Sequence, residues 1–162
     1  MQTASQTIEQ TPVWRSLPVI IACGCLIAAM GFGPRSAMGF FQVPMLAETG
    51  WDRTTFGFAM AIQNLAWGFG QPVFGALADR YGTARTLALG AFIYAAGLIT
   101  MANAHTPEML HIGGGILVGR GVAACSFTIV LAAFARRVSA RQRSFVFGLA
   151  TAAGSFGMFA YA

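Results

Sequence analysis

The chain contains few charged residues and no lysine at all. Only 9% of its 162 residues are charged, whereas soluble globular domains carry about 25% charged residues, most of them facing water. So few charges do not cover a water-facing surface. Disorder is excluded for the opposite reason, because disordered segments are poor in apolar residues and 56% of this chain is hydrophobic. The composition therefore indicates an integral membrane protein.

Groups that perform catalysis or bind metals are also scarce. The three cysteines all lie inside apolar runs: Cys23, Cys25 and Cys125. Small residues at such positions favour close helix packing over a disulfide or a metal site. Without lysine there is no P-loop, so the glycine strings at 31–33 and 113–115 do not indicate nucleotide binding. Because His105 and His111 have no acidic and serine partners at useful spacing, we expect neither enzyme activity, nor a cofactor, nor a metal ion.

Five apolar runs are long enough to cross a bilayer, since a membrane-spanning helix needs about 20 apolar residues. We predict an all-α transmembrane bundle, with a polar tail at 1–16 and helices at 17–46, 54–78, 86–104, 109–135 and 144–162. Glycine and proline weaken a helix, so the string Gly31-Phe-Gly-Pro-Arg35 predicts a kinked first span followed by a short outer segment. The fifth run reaches the last residue, which predicts a bundle truncated within its fifth helix.

The arginines predict the orientation of these spans. Seven share one side if the spans alternate: Arg15, Arg80, Arg85, Arg136, Arg137, Arg141 and Arg143. The opposite side carries Arg53 alone, diluted by acidic residues. Because basic loops stay in the cytoplasm, we predict a cytoplasmic N-terminus, with 48–53 and 105–108 outside. This clustering explains the net charge of +5 without nucleic acid. Absence of lysine beside abundant alanine and glycine is typical of GC-rich genomes, which favours a bacterial inner membrane.

The turn between the second and third predicted spans carries the most specific motif, Gly75-Ala-Leu-Ala-Asp79-Arg80-Tyr-Gly82-Thr-Ala-Arg85. Gly75 suits close helix approach, and Gly82 suits a tight reversal. The string resembles, almost position by position, the G-x-L-x-D-R-x-G-x-x-R loop of the major facilitator superfamily. That resemblance implies the amino-terminal half of a secondary transporter. It also implies a gating loop in which charge pairs hold the inner gate shut, formed by Gly75, Asp79, Arg80, Gly82 and Arg85.

A second string, at the opening of the fifth run, resembles the same superfamily: Arg143-Ser-Phe-Val-Phe-Gly148-Leu-Ala-Thr-Ala-Ala-Gly154-Ser-Phe-Gly157. Small residues at these intervals let helix backbones approach closely, although Phe147 stands where a small residue is common. This string, together with Gly50-Trp-Asp-Arg-Thr before the second span, is similar to the monocarboxylate and oxalate/formate branch of the superfamily.

Arg120 lies near the middle of the fourth predicted span, where a charge is costly and normally faces a cavity or a partner. Ideal α-helical spacing places it on one face with Gly113, Ile116, Ala124 and Phe127, whose small members leave room for a ligand. Residues 116–120 resemble the first half of the l-x-x-x-R-x-x-q-G pattern of the superfamily. The Gln-Gly half is missing, which weakens the case for the proton coupling associated with that pattern. The alternative is a structural arginine paired with a carbonyl or carboxylate.

Arg35 and a polar stripe on the second span complete the candidate substrate site. The resemblance implies that the first and fourth helices line one pathway, so Arg35 faces the same cavity as Arg120; alternatively, Arg35 reaches the outer interface. The stripe falls within an arc of about 100° and consists of Gln63, Asn64, Trp67 and Gln71. It should face protein or water rather than lipid. We predict Arg120, Arg35, Gln63, Asn64 and Trp67 as substrate-binding residues; the alternative for the stripe is hydrogen bonding between helices.

These features predict alternating-access transport of a small organic anion such as a monocarboxylate, since arginine matches a carboxylate with two parallel hydrogen bonds. The resemblance implies that a missing carboxy-terminal half completes the site. Two alternatives stay open: export of apolar drugs or metabolites, with a structural Arg120, and a non-transporting membrane fragment. No Asp or Glu lies within a predicted span, so these spans supply no proton-carrying carboxylate.

Overall fold

The computed structural model describes residues 17–135 and 138–161, which are helical apart from short turns and contain no strand. The elements are α1 (Leu17–Thr49), α2 (Arg53–Tyr81), α3 (Thr83–Ala102), α4 (Pro107–Leu110), a π-helical segment (His111–Leu117), α5 (Val118–Ala124), α6 (Phe127–Ala135) and α7 (Ala140–Ala160). The all-α prediction is confirmed. The predicted polar tail, Arg15, Arg136, Arg137 and residue 162 lie outside the described residues.

The first helix does not end at its glycine and proline string. α1 is a single helix of 33 residues that includes Pro34 and Pro44. The expectation of a separate outer segment is therefore wrong. Proline is tolerated within membrane helices because neighbouring helices and hydroxyl side chains take over the backbone groups that it frees.

Within the described ranges, three stretches are long and apolar enough to cross a membrane, judged by length and composition: Pro18–Thr49, Thr83–Ala102 and Pro107–Ala132. The spans predicted at 54–78 and 144–162 fall on α2 and α7, helices of 29 and 21 residues. Both are long enough for a crossing. The polar stripe on α2 and the arginines at the start of α7 make these two helices less apolar than the others.

The surface of the bundle is strongly apolar. Large side chains stand exposed on each long helix, including Phe40, Phe69, Phe92 and Phe159. Soluble proteins rarely expose contiguous apolar patches of this kind, because such patches drive association. A surface of this composition suits contact with lipid, as expected of a multi-pass membrane protein.

Small residues set the spacing between the helices. α5 lies between α2 and α3, whereas α1 packs chiefly against α7. At Gly121 on α5, an added Cβ would lie 2.6 Å from the Cα of Tyr94 on α3. Gly157 on α7 similarly contacts the backbone of Ala29 on α1, although Gly148 has no such neighbour. Larger side chains at Gly121 or Gly157 would force the helices apart.

The fourth predicted span, 109–135, is not one uninterrupted α-helix. Its first part contains the π-helical segment, and the chain turns at 125–126 before α6 begins. The three consecutive glycines of the π-helical segment are buried: Gly113, Gly114 and Gly115. Glycine tolerates unusual backbone geometry, so this triplet suits a local departure from α-helical winding.

The π-helical segment changes which side chains of the fourth span share a face. Gly113 lies against Met101 of α3, and Ala124 lies against Gly90 of the same helix. Ile116 and Arg120 instead line a groove beside α2. The predicted common face of Gly113 and Arg120 is therefore wrong, because the π-helical segment between them departs from 3.6 residues per turn. Ala124 also faces α3 instead of the groove, although no irregular turn separates it from Arg120.

Candidate functional site

A polar cluster joins α1 to α2 inside the bundle. Arg35 donates a hydrogen bond from Nε to Oε1 of Gln63 at 3.1 Å and another from Nη2 to Oδ1 of Asn64. The guanidinium also lies over the ring of Trp67, 4.8 Å from the ring centroid, within the range of a cation–π contact. The structure thus brings together four of the five predicted substrate-binding residues.

Helical spacing on α2 explains why these three side chains reach one arginine. Residues three and four apart are neighbours on a helix surface, which places Trp67 next to both Gln63 and Asn64. Arginine only donates hydrogen bonds, so both amides present their oxygens to it. Asn64 directs its Nδ2 back to the carbonyl oxygen of Met60 at 2.9 Å. The orientation of the guanidinium is therefore set from two directions.

Gln63 is the most enclosed member of this cluster. It is 1% exposed, and its Nε2 donates to the backbone carbonyl oxygen of Gly114 at 2.8 Å and to Sδ of Met38 at 3.3 Å. Gly114 belongs to the π-helical segment. Gln63 consequently links Arg35 on α1 to the irregular part of the fourth span. In the sequence, the glycine triplet at 113–115 is the one feature that points to the contact between Gln63 and Gly114. Nothing in the sequence points to the contact between Gln63 and Met38.

Arg35 retains capacity for further hydrogen bonds. A guanidinium carries five N–H donors, and two of them bond to Gln63 and Asn64. The other three make no hydrogen bond to any residue within 17–135 or 138–161. Arg35 is half-buried and Asn64 is exposed, so the cluster opens beside Asn64. It presents a positive charge and unassigned donors to that opening.

Two buried hydrogen-bond donors lie within or beside the polar cluster around Arg35. The indole Nε1 of Trp67 and the hydroxyl of Tyr94 on α3 are buried, and neither has a hydrogen-bond partner in the described part of the chain. Tyr94 and Met38 belong to one buried cluster, against which Trp67 packs. Unpaired buried polar groups are rare in proteins and often occur at functional positions. A lone tyrosine in an apolar run carries no periodic signal, so sequence analysis missed Tyr94.

The remaining polar residue of the stripe has a packing role. Oε1 of Gln71 accepts a hydrogen bond from the hydroxyl of Thr128 on α6 at 2.9 Å. That hydroxyl is also 2.7 Å from the hydroxyl of Ser126. Hydrogen bonding between helices, the alternative considered for the stripe, therefore describes Gln71.

Arg120 lies apart from the Arg35 cluster. It is exposed and lines a groove of about 520 Å³ between α2 and α5. The other lining residues are Ile62, Leu65, Ala66, Phe69, Gly70, Val73, Phe74 and Ile116. Ile62, Ala66 and Phe69 form a stripe on α2 that differs from the face holding Asn64 and Trp67, because each residue turns an α-helix by about 100°. The expected common cavity of Arg35 and Arg120 is not formed in this structure.

The turn between α2 and α3 is as tight as its motif predicts. α2 ends at Tyr81, α3 begins at Thr83, and Gly82 between them has φ +95° and ψ 145°. Residues with a Cβ rarely adopt this conformation, which explains the glycine. Asp79 lines a small cavity of about 120 Å³ together with Thr128 and Ile129 of α6. The turn therefore lies against α6.

The other motif residues of this turn are mostly exposed. The Arg80 guanidinium lies 5.5 Å from the centroid of the Tyr81 ring, and Arg85 is exposed at the start of α3. A Cβ added to Gly75 would meet nothing within 4 Å. The expectation that Gly75 permits close helix approach is therefore not met among the described residues.

The helical bundle, its apolar surface and this glycine-centred turn define a multi-pass membrane protein of the transporter class. The chain belongs to the Major Facilitator Superfamily, whose family model matches residues 13–162. The resemblance seen in the turn motif is thus confirmed over almost the whole chain.

Two curated relatives are transporters. Monocarboxylate transporter 13 from Bos taurus is 30% identical over 135 residues, which cover 83% of this chain and 31% of that protein. The 4-hydroxybenzoate transporter PcaK from Pseudomonas aeruginosa is 31% identical over 96 residues, covering 59% of this chain and 20% of that protein. The chain thus spans less than a third of the length of either relative. No solved structure matches the chain.

Proposed function

We propose that this chain forms part of a secondary transporter for small organic anions, with monocarboxylates as the substrate class. The observation that carries the proposal is the Arg35 guanidinium, which Gln63 and Asn64 hold in place while its other three N–H groups bond to no residue within 17–135 or 138–161. A charged side chain within a membrane bundle is costly and usually marks a substrate or ion pathway. Both relatives bear names of carboxylate transporters, which agrees with this substrate class.

The geometry of the cluster suits recognition of a carboxylate. Two amide oxygens and the face of Trp67 fix the plane of the guanidinium. A fixed fork loses little conformational freedom on binding, which favours affinity. The carboxylate would accept hydrogen bonds from the remaining N–H groups in a bidentate arrangement. In this proposal Gln63, Asn64 and Trp67 position the arginine, and Asn64 lies at the entrance. We do not extend the site to Arg120, because it lines another face of α2.

The complete transporter is part of the proposal. The two relatives are more than three times as long as the segments that match this chain. We propose that the anion binds between this bundle and a second one, with access alternating between the two sides of the membrane. The turn at 75–85 would then act as the cytoplasmic gate. We also propose a bacterial inner membrane and a cytoplasmic N-terminus, on the basis of the arginine distribution.

The test is uptake of labelled lactate and 4-hydroxybenzoate by proteoliposomes that contain the complete transporter. Arg35→Gln removes the charge and should abolish uptake, whereas Arg35→Lys keeps the charge, loses the planar fork and should bind the anion more weakly. Arg53→Gln is the matched control, because Arg53 is an exposed arginine at the start of α2. Normal uptake by Arg35→Gln at normal expression would contradict the proposal.

A further inference from the structure

Arg120 lies at the centre of an apolar stretch. The candidate span Pro107–Ala132 contains 26 residues, and Arg120 is 13 residues from its start and 12 from its end. At 1.5 Å per residue, either end is roughly 18 Å away, which is farther than an extended arginine side chain reaches. Snorkelling to the lipid headgroups is therefore not available to this residue. Its charge needs a partner at mid-depth.

The described part of the chain provides no such partner. Arg120 makes no hydrogen bond or ion pair with any residue in 17–135 or 138–161, and it is exposed in its groove. Every other residue that lines the groove is apolar or glycine. Lipid chains offer no hydrogen-bond acceptor either. Since a guanidinium has five donors, whatever occupies the groove must bring acceptors with it.

The described residues of a second copy of this chain do not supply the missing charge. The described acidic residues all lie near helix ends: Glu48 in the last turn of α1, Asp52 before α2, Asp79 near the end of α2 and Glu108 at the start of α4. None is at the depth of Arg120. A dimer formed through this groove would therefore leave two guanidinium groups without carboxylates.

The shape of the groove suits a helix. It runs between the long helix α2 and α5, with Ala66 and Gly70 among its lining residues, and small residues permit close helix approach. Leu65, Phe69 and Val73 are exposed beside them, so a docked segment would cover a continuous apolar surface. These walls offer a soluble anion no second polar contact, which argues against the groove as a substrate site.

We infer that the groove between α2 and α5 docks a further membrane helix, which carries an Asp or Glu at mid-depth and pairs its carboxylate with Arg120. The pairing supplies bidentate acceptors for the guanidinium, and the helix covers the exposed apolar walls. This inference is independent of the proposed anion site, because the two lie on different faces of α2.

The experiment measures binding of synthetic helices to the chain in phosphatidylcholine vesicles. The probes are fluorescent leucine–alanine peptides of about 20 residues, long enough to span the bilayer, with either Glu or Gln at the centre. The Glu peptide should bind roughly five to thirty times more tightly than the Gln peptide, as expected for one strong polar contact between helices. Arg120→Gln should remove this preference, Arg120→Lys should retain part of it, and Arg53→Gln should leave it unchanged.

Cross-linking tests the location without changing Arg120. In a chain that lacks its native cysteines, Phe69→Cys lies in the groove and Phe92→Cys lies on the exposed face of α3. A cysteine beside the central Glu of the peptide should form a disulfide with position 69 and not with position 92. Equal affinity for both peptides, equal cross-linking at both positions, or displacement of the Glu peptide by a second copy of the chain would each overturn the inference.

Discussion

Gln63 and Gly114 are joined by a buried hydrogen bond of 2.8 Å, from the side-chain Nε2 on α2 to the backbone carbonyl oxygen in the π-helical segment. The other end of the same amide accepts the hydrogen bond from Nε of Arg35. One side chain therefore connects the candidate anion-binding arginine to an irregular backbone segment. π-helical turns occur frequently at functional sites. Here the side chain of Gln63 links the π-helical turn to Arg35 through two hydrogen bonds.

Two substitutions at Gln63 separate its roles in stability and in binding. Gln63→Leu removes the hydrogen bonds that Gln63 makes to the carbonyl of Gly114 and to Nε of Arg35, and a buried group left unpaired costs about 1–3 kcal/mol. We expect a lower melting temperature in detergent together with weaker anion binding. Gln63→Glu also loses the donor to the carbonyl of Gly114, but it keeps an acceptor for Arg35 and neutralises its charge, so its anion binding should fall further than that of Gln63→Leu.

Gln71→Leu is the matched control for these variants. It removes a hydrogen bond between α2 and α6 without touching the Arg35 cluster. The control should lower the melting temperature and leave the affinity for the anion unchanged. Equal loss of affinity in Gln71→Leu and Gln63→Glu would show that the effect arises from general loosening of α2.

Part of this arrangement follows from the sequence. Periodicity alone places Gln63, Asn64 and Trp67 together, and the cost of a buried charge singles out Arg35. Their contact across α1 and α2 depends on tertiary packing, which spacing along one helix does not reveal. Helical spacing wrongly predicts a common face for Gly113 and Arg120, because the π-helical segment between them shifts the register, whereas Ile116 and Arg120 do line one groove. Tyr94 gives no signal in the sequence, because its hydroxyl is distinguished only by its burial without a hydrogen-bond partner among the described residues, which depends on packing.

Helix packing in the bundle gives a prediction at Gly121. Gly121→Ala places a Cβ 2.6 Å from the Cα of Tyr94. Because this clash is with a backbone atom, it is relieved only if α3 and α5 move apart. We expect a destabilisation of about 1–3 kcal/mol, typical of overpacking, measured by thermal unfolding in detergent. Gly68→Ala is the control, because nothing lies within 4 Å of a Cβ there. That variant should be neutral or slightly stabilising, as alanine is favoured in helices, and equal loss in both would contradict the close contact.

The predicted orientation of the chain can be measured with single cysteines. Gly50 lies between α1 and α2, and Ser139 precedes α7; both are exposed. In a background without native cysteines, Gly50→Cys should react with a membrane-impermeant reagent added outside intact cells. Ser139→Cys should react only after the membrane is opened. The reverse pattern would place the N-terminus outside, and the turn at 75–85 with it.

Tyr94 provides a test in which stability and function should move in opposite directions. Its hydroxyl is buried without a hydrogen-bond partner among the described residues, and it lies within electrostatic reach of Arg35. Tyr94→Phe removes an unpaired polar atom and keeps the ring, so it should raise stability by about 1 kcal/mol, since burying an unpaired hydroxyl is unfavourable. If the hydroxyl serves the anion pathway beside Arg35, the same variant should weaken anion affinity.

Tyr161→Phe is the comparison for Tyr94→Phe, because the Tyr161 hydroxyl is near the surface and donates to Sδ of Met30 at 3.3 Å. It should change neither stability nor affinity by much, since the thioether is a weak acceptor. Melting temperature and anion affinity are measured on the same preparations of both variants. A lower melting temperature in Tyr94→Phe would mean that the hydroxyl has a partner in the membrane. A raised melting temperature with unchanged affinity would make Tyr94 a packing residue and restrict the anion site to the Arg35 cluster.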